Sequence, residues 1–228
     1  RTRNQPLWLA TAFEAYLKFN YRGIIFVVDD SEGEALIQNE QTVKKFENTD
    51  LKIRHFTGLA KDIDTRHRRV CNSTRNVLNF VETDYLTLAA GDDFLFPSFI
   101  DQAIEFLNEN LDHAGVMGPE IILWADEELR IIRPEVRWWP VYQSEDPLER
   151  FANYCFSQSI PVSCVFKSTY IDLIKEVEKQ TSQQFTGDPE CKALLISEEI
   201  PWNQLLVSSG KIGELPLVPG YLRTIHDS

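Results

Sequence analysis

Two pairs of neighbouring aspartates each follow a continuous run of apolar residues. Asp29-Asp30 follows residues 24–28, and Asp92-Asp93 follows residues 85–90. Such runs are typical of parallel strands buried on both faces, and the carboxyl ends of these strands form the edge where open α/β folds bind ligands. Because adjacent carboxylates repel each other, a divalent cation is their usual compensation. The alternative interpretation of Asp92-Asp93 is a strand end before a helix N-terminus, which favours acids.

Composition limits the possible partners. The chain has 228 residues, a hydrophobic fraction of 43% and a formal net charge of −12. The length suits one large domain, and the negative charge argues against nucleic acid, because phosphate binders need a basic face. The four cysteines are widely spaced and form no C-x-x-C pair, as in reduced proteins of the cytosol. We therefore expect a cytoplasmic location, with membrane association only through regions outside this chain.

Helical spacing and buried strands alternate through residues 1–118. Pro6 is placed to begin a helix, because proline is favoured at the first helical position. A second amphipathic helix is predicted after Pro97. Alternation of helices with apolar strands is the pattern of a parallel, doubly wound sheet. This half is therefore predicted to be a nucleotide-binding α/β unit.

After Gly118 the pattern becomes mixed. Residues 121–124 and 129–132 predict an antiparallel hairpin, and a last helix is predicted from about Pro201 to Ser209. We expect residues 1–228 to form a single domain, with the nucleotide-binding half over 1–118 and an acceptor-side half over 119–228.

Short motifs in a fixed order resemble those of glycosyltransferase family 2 enzymes with the GT-A fold. The most specific is the bacterial signature T-x-Y…D-D-F, matched here from Thr83 to Phe94. The other matches are weaker one by one, but they share the family's order: Thr2-Arg3-Asn4-Gln5-Pro6 resembles P-T-R-N-R-P, Val28-Asp29-Asp30-Ser31 resembles V-D-D-x-S, Arg75-Asn76 resembles A-R-N, Glu198-Glu199 with Gly210-Lys211 resembles E-D…G-x-K, and residues 221–228 resemble Y-R-x-H-x-x-S.

The resemblance implies a fold and a substrate class. The fold is the α/β GT-A (nucleotide-diphospho-sugar transferase) fold, a mostly parallel doubly wound sheet with a smaller mixed antiparallel part. The family's first strand lies before the Thr2 loop and is missing here, so we expect the chain to be an excerpt from a longer polypeptide. The implied donor is a nucleotide-diphosphate sugar, with a UDP-sugar favoured, and the implied acceptor is a glycan or a lipid-linked acceptor.

The resemblance also implies how the donor is bound. Thr2 and Arg3 line the base pocket, and Asp29 accepts a hydrogen bond from the base. Asp93 ligates a divalent cation, Mn²⁺ or Mg²⁺, that bridges the diphosphate, with Asp92 contacting the ribose or the cation and His226 approaching the same cation. The implied nucleotide-binding residues are Thr2, Arg3, Asp29, Asp30, Arg75 and Asp92, and the implied metal ligands are Asp93, Asp92 and His226.

The family's catalytic position corresponds to Glu199, which lies just before the helix predicted from Pro201. Its carboxylate would take the proton of the acceptor hydroxyl in a single displacement with inversion. The family usually has aspartate there, so Glu198 remains an alternative base. The family also often has a third acidic residue where this chain has Gly91, which puts metal affinity and ribose contact in question.

Two neighbouring tryptophans and two rival functions complete the predictions. Trp138 and Trp139 could stack on an acceptor sugar, or they could be structural. The preferred function is a metal-dependent inverting glycosyltransferase of hexosyltransferase type, in the biosynthesis of a surface polysaccharide. The rivals are a catalytically silent nucleotide- or glycan-binding domain and a nucleotidyltransferase, although the glycine-rich phosphate loop of nucleotidyltransferases is not found in the sequence.

Overall fold

A computed structural model describes residues 2–58, 76–125, 130–157, 164–173, 175–176 and 199–226, with the main chain alone at residues 125, 199–202, 224 and 226. The longer helices are α1 (Pro6–Lys18), α2 (Gly33–Phe46), α3 (Pro97–Glu109), α4 (Pro147–Ser157) and α5 (Glu199–Ser209). The strands are β1 (Ile24–Asp29), β2 (Lys52–Thr57), β3 (Tyr85–Leu86), β4 (Phe94–Leu95), β5 (His113–Met117), β6 (Glu120–Ala125), β7 (Ile131–Arg137), β8 (Val165–Lys167), β9 (Lys211–Glu214) and β10 (Tyr221–His226).

The described strands form three sheets. β1 and β2 pair in parallel, β4-β10-β6-β7 form a mixed sheet, and β3-β8-β5-β9 form a second mixed sheet. Both four-stranded sheets take strands from each half of the chain, so the two halves are interwoven. The predicted α/β class is confirmed, and so is the predicted hairpin, because β6 and β7 pair antiparallel.

Two predicted boundaries are wrong. The strand predicted over residues 85–90 ends after Leu86, and residues 87–90 continue without strand pairing. Ala89, Ala90 and Gly91 are poor strand formers, because small side chains give little packing on a pleated surface. The last helix begins at Glu199 rather than at Pro201, so Glu199 lies within its first turn.

α1 and α2 pack against β1 through large apolar side chains. Phe13 of α1, Val27 of β1 and Phe46 of α2 are almost completely buried, and the two phenylalanine rings meet edge to face at 5.3 Å between centroids. Burial of each such side chain contributes about 1.5–3 kcal/mol. This packing holds β1, and therefore Asp29 at its end, in a fixed position.

β10 brings the C-terminal segment to the acidic pair. Tyr221 pairs antiparallel with Leu95 of β4 and in parallel with Glu120 of β6. β10 is antiparallel to β4. It therefore runs from Leu95 towards Asp93 and Asp92, which precede β4 in the sequence. The end of β10 at His226 therefore extends towards the same part of the chain.

A buried arginine anchors the C-terminal end of α5. Arg150 of α4 is 5% exposed, and its guanidinium donates to the carbonyl oxygens of Val207 at 2.7 Å and Ser208 at 3.2 Å. It also donates to the carbonyls of Ser144 at 2.6 Å and Glu145 at 3.2 Å. The last carbonyls of a helix otherwise lack partners, so Arg150 fixes the helix that carries Glu199 at its start.

None of the helices in the described ranges is long and apolar enough to cross a membrane.

An ion pair connects β9 to the loop before β5. The Lys211 ammonium lies 2.8 Å from the Asp112 carboxylate and also contacts Glu145, and the His113 ring lies 2.8 Å from Asp112. Hydrogen bonds from Lys211 and His113 lower the pKa of Asp112 to about 2. A carboxylate whose pKa is lowered on folding stabilises the fold above its unfolded pKa of about 3.9.

We expect Asp112→Asn to lower the melting temperature at pH 7. The difference from wild type should shrink as the pH falls from about 4 to about 2, because the wild-type carboxylate is then protonated as well. Thermal unfolding across this pH range measures the effect. Asp172→Asn is the matched control, since Asp172 is 88% exposed and lies 3.8 Å from Lys175. A melting difference for Asp112→Asn that is constant from pH 7 to pH 2 contradicts the assignment.

Candidate active site

The segment of residues 2–5 is bound to the end of β1. The Thr2 amide donates to the Val28 carbonyl at 3.0 Å, and the Asp30 amide donates to the Thr2 carbonyl at 3.1 Å. Thr2 thereby forms a parallel bridge with Asp29. The Asn4 amide donates to the Ser31 hydroxyl at 2.7 Å, with Asn4 at φ +53°, a left-handed conformation that asparagine tolerates better than most residues.

The same segment also reaches the second acidic pair. The Gln5 side-chain amide donates to the Asp92 carboxylate at 3.2 Å. Thr2 and Asp93 line one cavity of about 130 Å³, which lies between β1 and residues 87–91. The two acidic pairs therefore lie on either side of residues 2–5. A cavity of this size is below the range of about 300–1,000 Å³ for ligand pockets, so it is too small to enclose a nucleotide.

Asp29 is an enclosed, fully engaged carboxylate. Its side chain has no exposed surface, and it accepts from the Ser31 amide at 2.9 Å, the Asn39 side-chain amide at 3.0 Å and the His55 ring at 3.1 Å. Burial by itself raises the pKa of Asp29, but the hydrogen bonds from His55, Ser31 and Asn39 outweigh burial and lower it. Asp29 is therefore ionised and fixed in orientation.

Asp92 and Asp93 occupy different environments. Asp92 is half-buried and faces Gln5, whereas Asp93 is buried and accepts a hydrogen bond from the Tyr221 hydroxyl of β10. Burial, together with the negative charge of Asp93, raises the pKa of Tyr221, so the phenol keeps its proton and donates it. The two neighbouring carboxylates thus have different partners. Asp92 contacts residues 2–5, and Asp93 contacts β10.

The donor set suits a cation that is held partly by substrate. Among the residues that the structure describes, no three His, Cys, Asp or Glu side chains are grouped to hold a metal ion. Mg²⁺ is commonly bound by one or two carboxylates together with substrate phosphates and waters. Asp92, which is half-buried and accepts a hydrogen bond from Gln5, would suit that kind of site better than a preformed protein cage.

The other predicted site residues are only partly described. Arg3 and Asp30 are half-buried at the end of β1. Arg75 and Glu198 lie outside the described residues. The main chain of Glu199 begins α5 and that of His226 ends β10, while their side chains lie outside the described part.

The two tryptophans differ in environment. Trp138 is 55% exposed, whereas Trp139 is partly buried against the core and has the Arg137 guanidinium 5.7 Å from its ring centroid. An open indole face is what a sugar ring needs for stacking. Trp138 has such an exposed ring, whereas Trp139 packs against the core.

Sequence reasoning missed four residues of this site. Gln5 and Tyr221 stood inside quoted motifs but were given no role. The sequence alone assigns no role to His55 or to Asn39. Asn39 contacts Asp29 from α2, and His55 contacts Asp29 from β2. Neither carries a local sequence signal, because the contact depends on how β1 and β2 pair.

We expect Tyr221→Phe to lower the free energy of unfolding by about 1.5–3 kcal/mol, because the buried Asp93 carboxylate loses a hydrogen-bond donor. Urea denaturation measures the change. Tyr85→Phe is the matched control, since the Tyr85 hydroxyl donates to Asn108 in an exposed hydrogen bond of 2.6 Å. Equal losses in the two variants would show that the Asp93 contact has no special weight.

Comparison with known proteins gives the fold. No family model and no curated protein sequence matches the chain. A crystal structure of S. aureus TarS matches with a TM-score of 0.59 and 15% identity over 98% of this chain. The structure of TarS 1–349 in complex with UDP-GlcNAc matches with a TM-score of 0.55 and 13% identity over the whole chain, and TarS 1–349 in complex with UDP matches with a TM-score of 0.56 and 15% identity over 98% of it.

This chain spans 35% of the longer TarS structure and 58% or 59% of these two TarS 1–349 structures. Identities of 13–15% show the fold alone. The chain therefore has a mixed α/β fold like that of TarS, compatible with a GT-A type fold.

Proposed function

We propose that this chain is a glycosyltransferase domain that takes a sugar from a nucleotide-diphosphate donor, with a UDP-sugar favoured. The single observation that carries the proposal is the attachment of residues 2–5 to both acidic pairs, through Thr2 to Asp29 at the end of β1 and through Gln5 to Asp92 just before β4. In this proposal Asp29 is the carboxylate that recognises the base and Asp92 is the carboxylate on the phosphate side. The fold shared with TarS, which was solved with UDP and with UDP-GlcNAc, supports the choice of nucleotide.

The proposed donor site has two ends. Thr2, Arg3 and Asp29 lie at the base end, where the carboxylate of Asp29 is ionised and oriented. Asp92 lies at the diphosphate end, where Mn²⁺ or Mg²⁺ would bind to its carboxylate and to the phosphates. Asp93 and His226 remain proposed further ligands, and the direction of β10 supports the approach of His226.

The proposed reaction is a single displacement with inversion. The acceptor hydroxyl oxygen forms a bond to the anomeric carbon, its proton passes to Glu199 or Glu198, and the bond to the diphosphate oxygen breaks. The nucleoside diphosphate leaves with the electron pair, and a cation held by Asp92 would supply charge compensation for it. The position of Glu199 in the first turn of α5, anchored at its far end by Arg150, supports Glu199 as the base.

The proposed acceptor site rests on the exposure of the Trp138 ring. Trp138 presents an exposed ring near the end of β7, and we propose that it stacks on a sugar of a glycan or lipid-linked acceptor. Trp139 is the lesser candidate for the same role. We further propose that the chain acts in the cytoplasm, in the biosynthesis of a surface polysaccharide. Any membrane association would occur through regions outside this chain.

We expect wild-type protein to bind UDP in the presence of Mn²⁺ and to bind it more weakly when EDTA removes the metal. Asp92→Asn should weaken UDP binding in Mn²⁺ by about tenfold or more, equivalent to about 1.4 kcal/mol, and should abolish the difference between Mn²⁺ and EDTA. Isothermal titration calorimetry measures both effects.

Asp101→Asn is the control for that experiment, because Asp101 is an exposed carboxylate on α3. Equal UDP affinities for the Asp92 and Asp101 variants contradict the metal assignment. Failure of the wild type to bind UDP contradicts the proposed donor class. UDP binding without any hydrolysis of UDP-sugars in Mn²⁺ favours the silent binding domain instead.

A further inference from the structure

One face of the sheet β4-β10-β6-β7 begins beside the second acidic pair and carries arginines along its length. Side chains in register on neighbouring strands lie on the same face of a sheet. Three rows of residues are in register across β10, β6 and β7: Tyr221–Glu120–Arg137, Arg223–Ile122–Glu135 and Ile225–Trp124–Arg133. The first row lies next to Asp93, because the Tyr221 hydroxyl donates to the Asp93 carboxylate. We call the surface formed by Arg133, Arg137 and Arg223 the arginine face.

The positive groups of these rows are more exposed than the negative ones. The side chains of Arg137, Arg223 and Arg133 are 41%, 47% and 62% exposed. Those of Glu120 and Glu135 are 1% and 37% exposed. The three rows contain three arginines and two glutamates, which leaves one net positive charge on a chain of net charge −12. An anion that approaches this face therefore meets guanidinium groups first.

Tryptophan rings restrain two of the three guanidinium groups. The Arg133 guanidinium lies 5.0 Å from the Trp124 ring centroid, and the Arg137 guanidinium lies 5.7 Å from the Trp139 ring centroid. Contact with an aromatic ring attracts a guanidinium and limits its motion. Because a guanidinium has five N–H donors, the contact of Arg133 with Glu135 at 3.4 Å leaves donors for a ligand.

A buried carboxylate lies between Arg137 and Arg223. Glu120 is 1% exposed, with Oε1 3.7 Å from Arg223 and Oε2 3.9 Å from Arg137. Both distances are longer than a hydrogen bond, and within the described part of the chain Oε2 has no hydrogen-bond partner. Burial raises the pKa of Glu120, and the two arginines oppose that shift. One carboxylate thus holds two guanidinium groups near each other and leaves most of their N–H donors for other partners.

The length of the arginine face suits an extended molecule. Arg137 and Arg133 are four residues apart on β7, a distance of about 13 Å along the strand at about 3.3 Å per residue. The diphosphate of the donor is proposed to lie at Asp92, near the first row. The acceptor is the other reactant at that position, and a glycan chain is long enough to reach the third row as well. Guanidinium groups match phosphate and carboxylate groups in charge and geometry.

We propose that the arginine face binds an acceptor glycan that carries phosphate or carboxylate groups, and that it selects such an acceptor over a neutral one. This inference rests on the proposed function and deepens it, since it names the chemical class of the acceptor. Arg133 and Arg137 contact the anionic groups of the acceptor, while the donor binds at residues 2–5. Loss of these arginines should therefore weaken the binding of a charged glycan and leave UDP binding unchanged.

The test uses two pairs of probes that differ in charge: oligogalacturonate with its methyl ester, and phosphorylated dextran with plain dextran. Calorimetry at low ionic strength should show that the wild type binds the charged member of at least one pair about tenfold more tightly. About 0.5 M salt should reduce this preference, because exposed charges are then screened. The double variant Arg133→Gln/Arg137→Gln should lose most of the preference, while UDP affinity in Mn²⁺ stays within about twofold of wild type. Arg133→Lys/Arg137→Lys keeps both charges and should retain part of the preference, which keeps the test decisive if the glutamine variant does not fold.

Arg54→Gln is the matched control, because Arg54 on β2 is 46% exposed, lies 3.7 Å from Glu82 and lies 5.6 Å from the Phe26 ring centroid. This variant should keep the wild-type preference. An equal loss in Arg54→Gln overturns the inference, because the effect then reports total charge alone.

A wild type that binds charged and neutral probes equally, or binds none of them, also overturns the inference. A parallel loss of UDP affinity in the double variant assigns the arginines to the donor and overturns it as well. Glycan binding is measured without nucleotide, so it is distinguishable from a failure of the wild type to bind UDP in Mn²⁺, which contradicts the proposed function itself.

Discussion

The hydrogen bonds of residues 2–5 join two parts of the chain that belong to different sheets. On one side, Thr2 bridges Asp29 in the manner of a parallel strand, and Asn4 donates to Ser31. On the other side, Gln5 donates to Asp92. β1 and residues 87–91 are separated by a cavity, so direct strand pairing does not align them. The position of the two acidic pairs relative to each other therefore depends on this short segment together with Tyr16 of α1, whose hydroxyl accepts from the Leu95 amide at 3.3 Å.

Carboxylates that cluster in a chain of net charge −12 need compensation, and each one here obtains it differently. Asp29 is buried and is stabilised by donors from the main chain, α2 and β2. Asp93 is buried and takes the Tyr221 hydroxyl, which attaches β10 to the acidic loop. Asp92 is half-buried and accepts a hydrogen bond from the Gln5 side-chain amide. A neutral amide stabilises a carboxylate less than a cation does. Because Asp29 and Asp93 are buried whereas Asp92 is only half-buried, Asp92 is the preferred candidate for the diphosphate end.

The sequence predicts local features of this fold well, and contacts between distant residues poorly. Proline placement predicts the start of α1 at Pro6, and the apolar run predicts β1 as far as Asp29, because both signals are local. The two-residue length of β3 was not predicted, since Thr87 and Leu88 follow Leu86 without a breaker in the sequence. The contacts of His55 and Tyr221 could not be predicted, because they join residues 26 and 128 positions apart through sheet packing.

The most direct test of the account is a crystal structure of the protein with UDP and Mn²⁺. The account predicts that the uracil ring lies against Thr2 and the Asp29 edge, and that the diphosphate and the cation lie on the Asp92 side of residues 2–5. UDP bound anywhere else, or bound with its diphosphate at Asp29 and its base at Asp92, would contradict the claim that this segment forms one donor site from two acidic pairs.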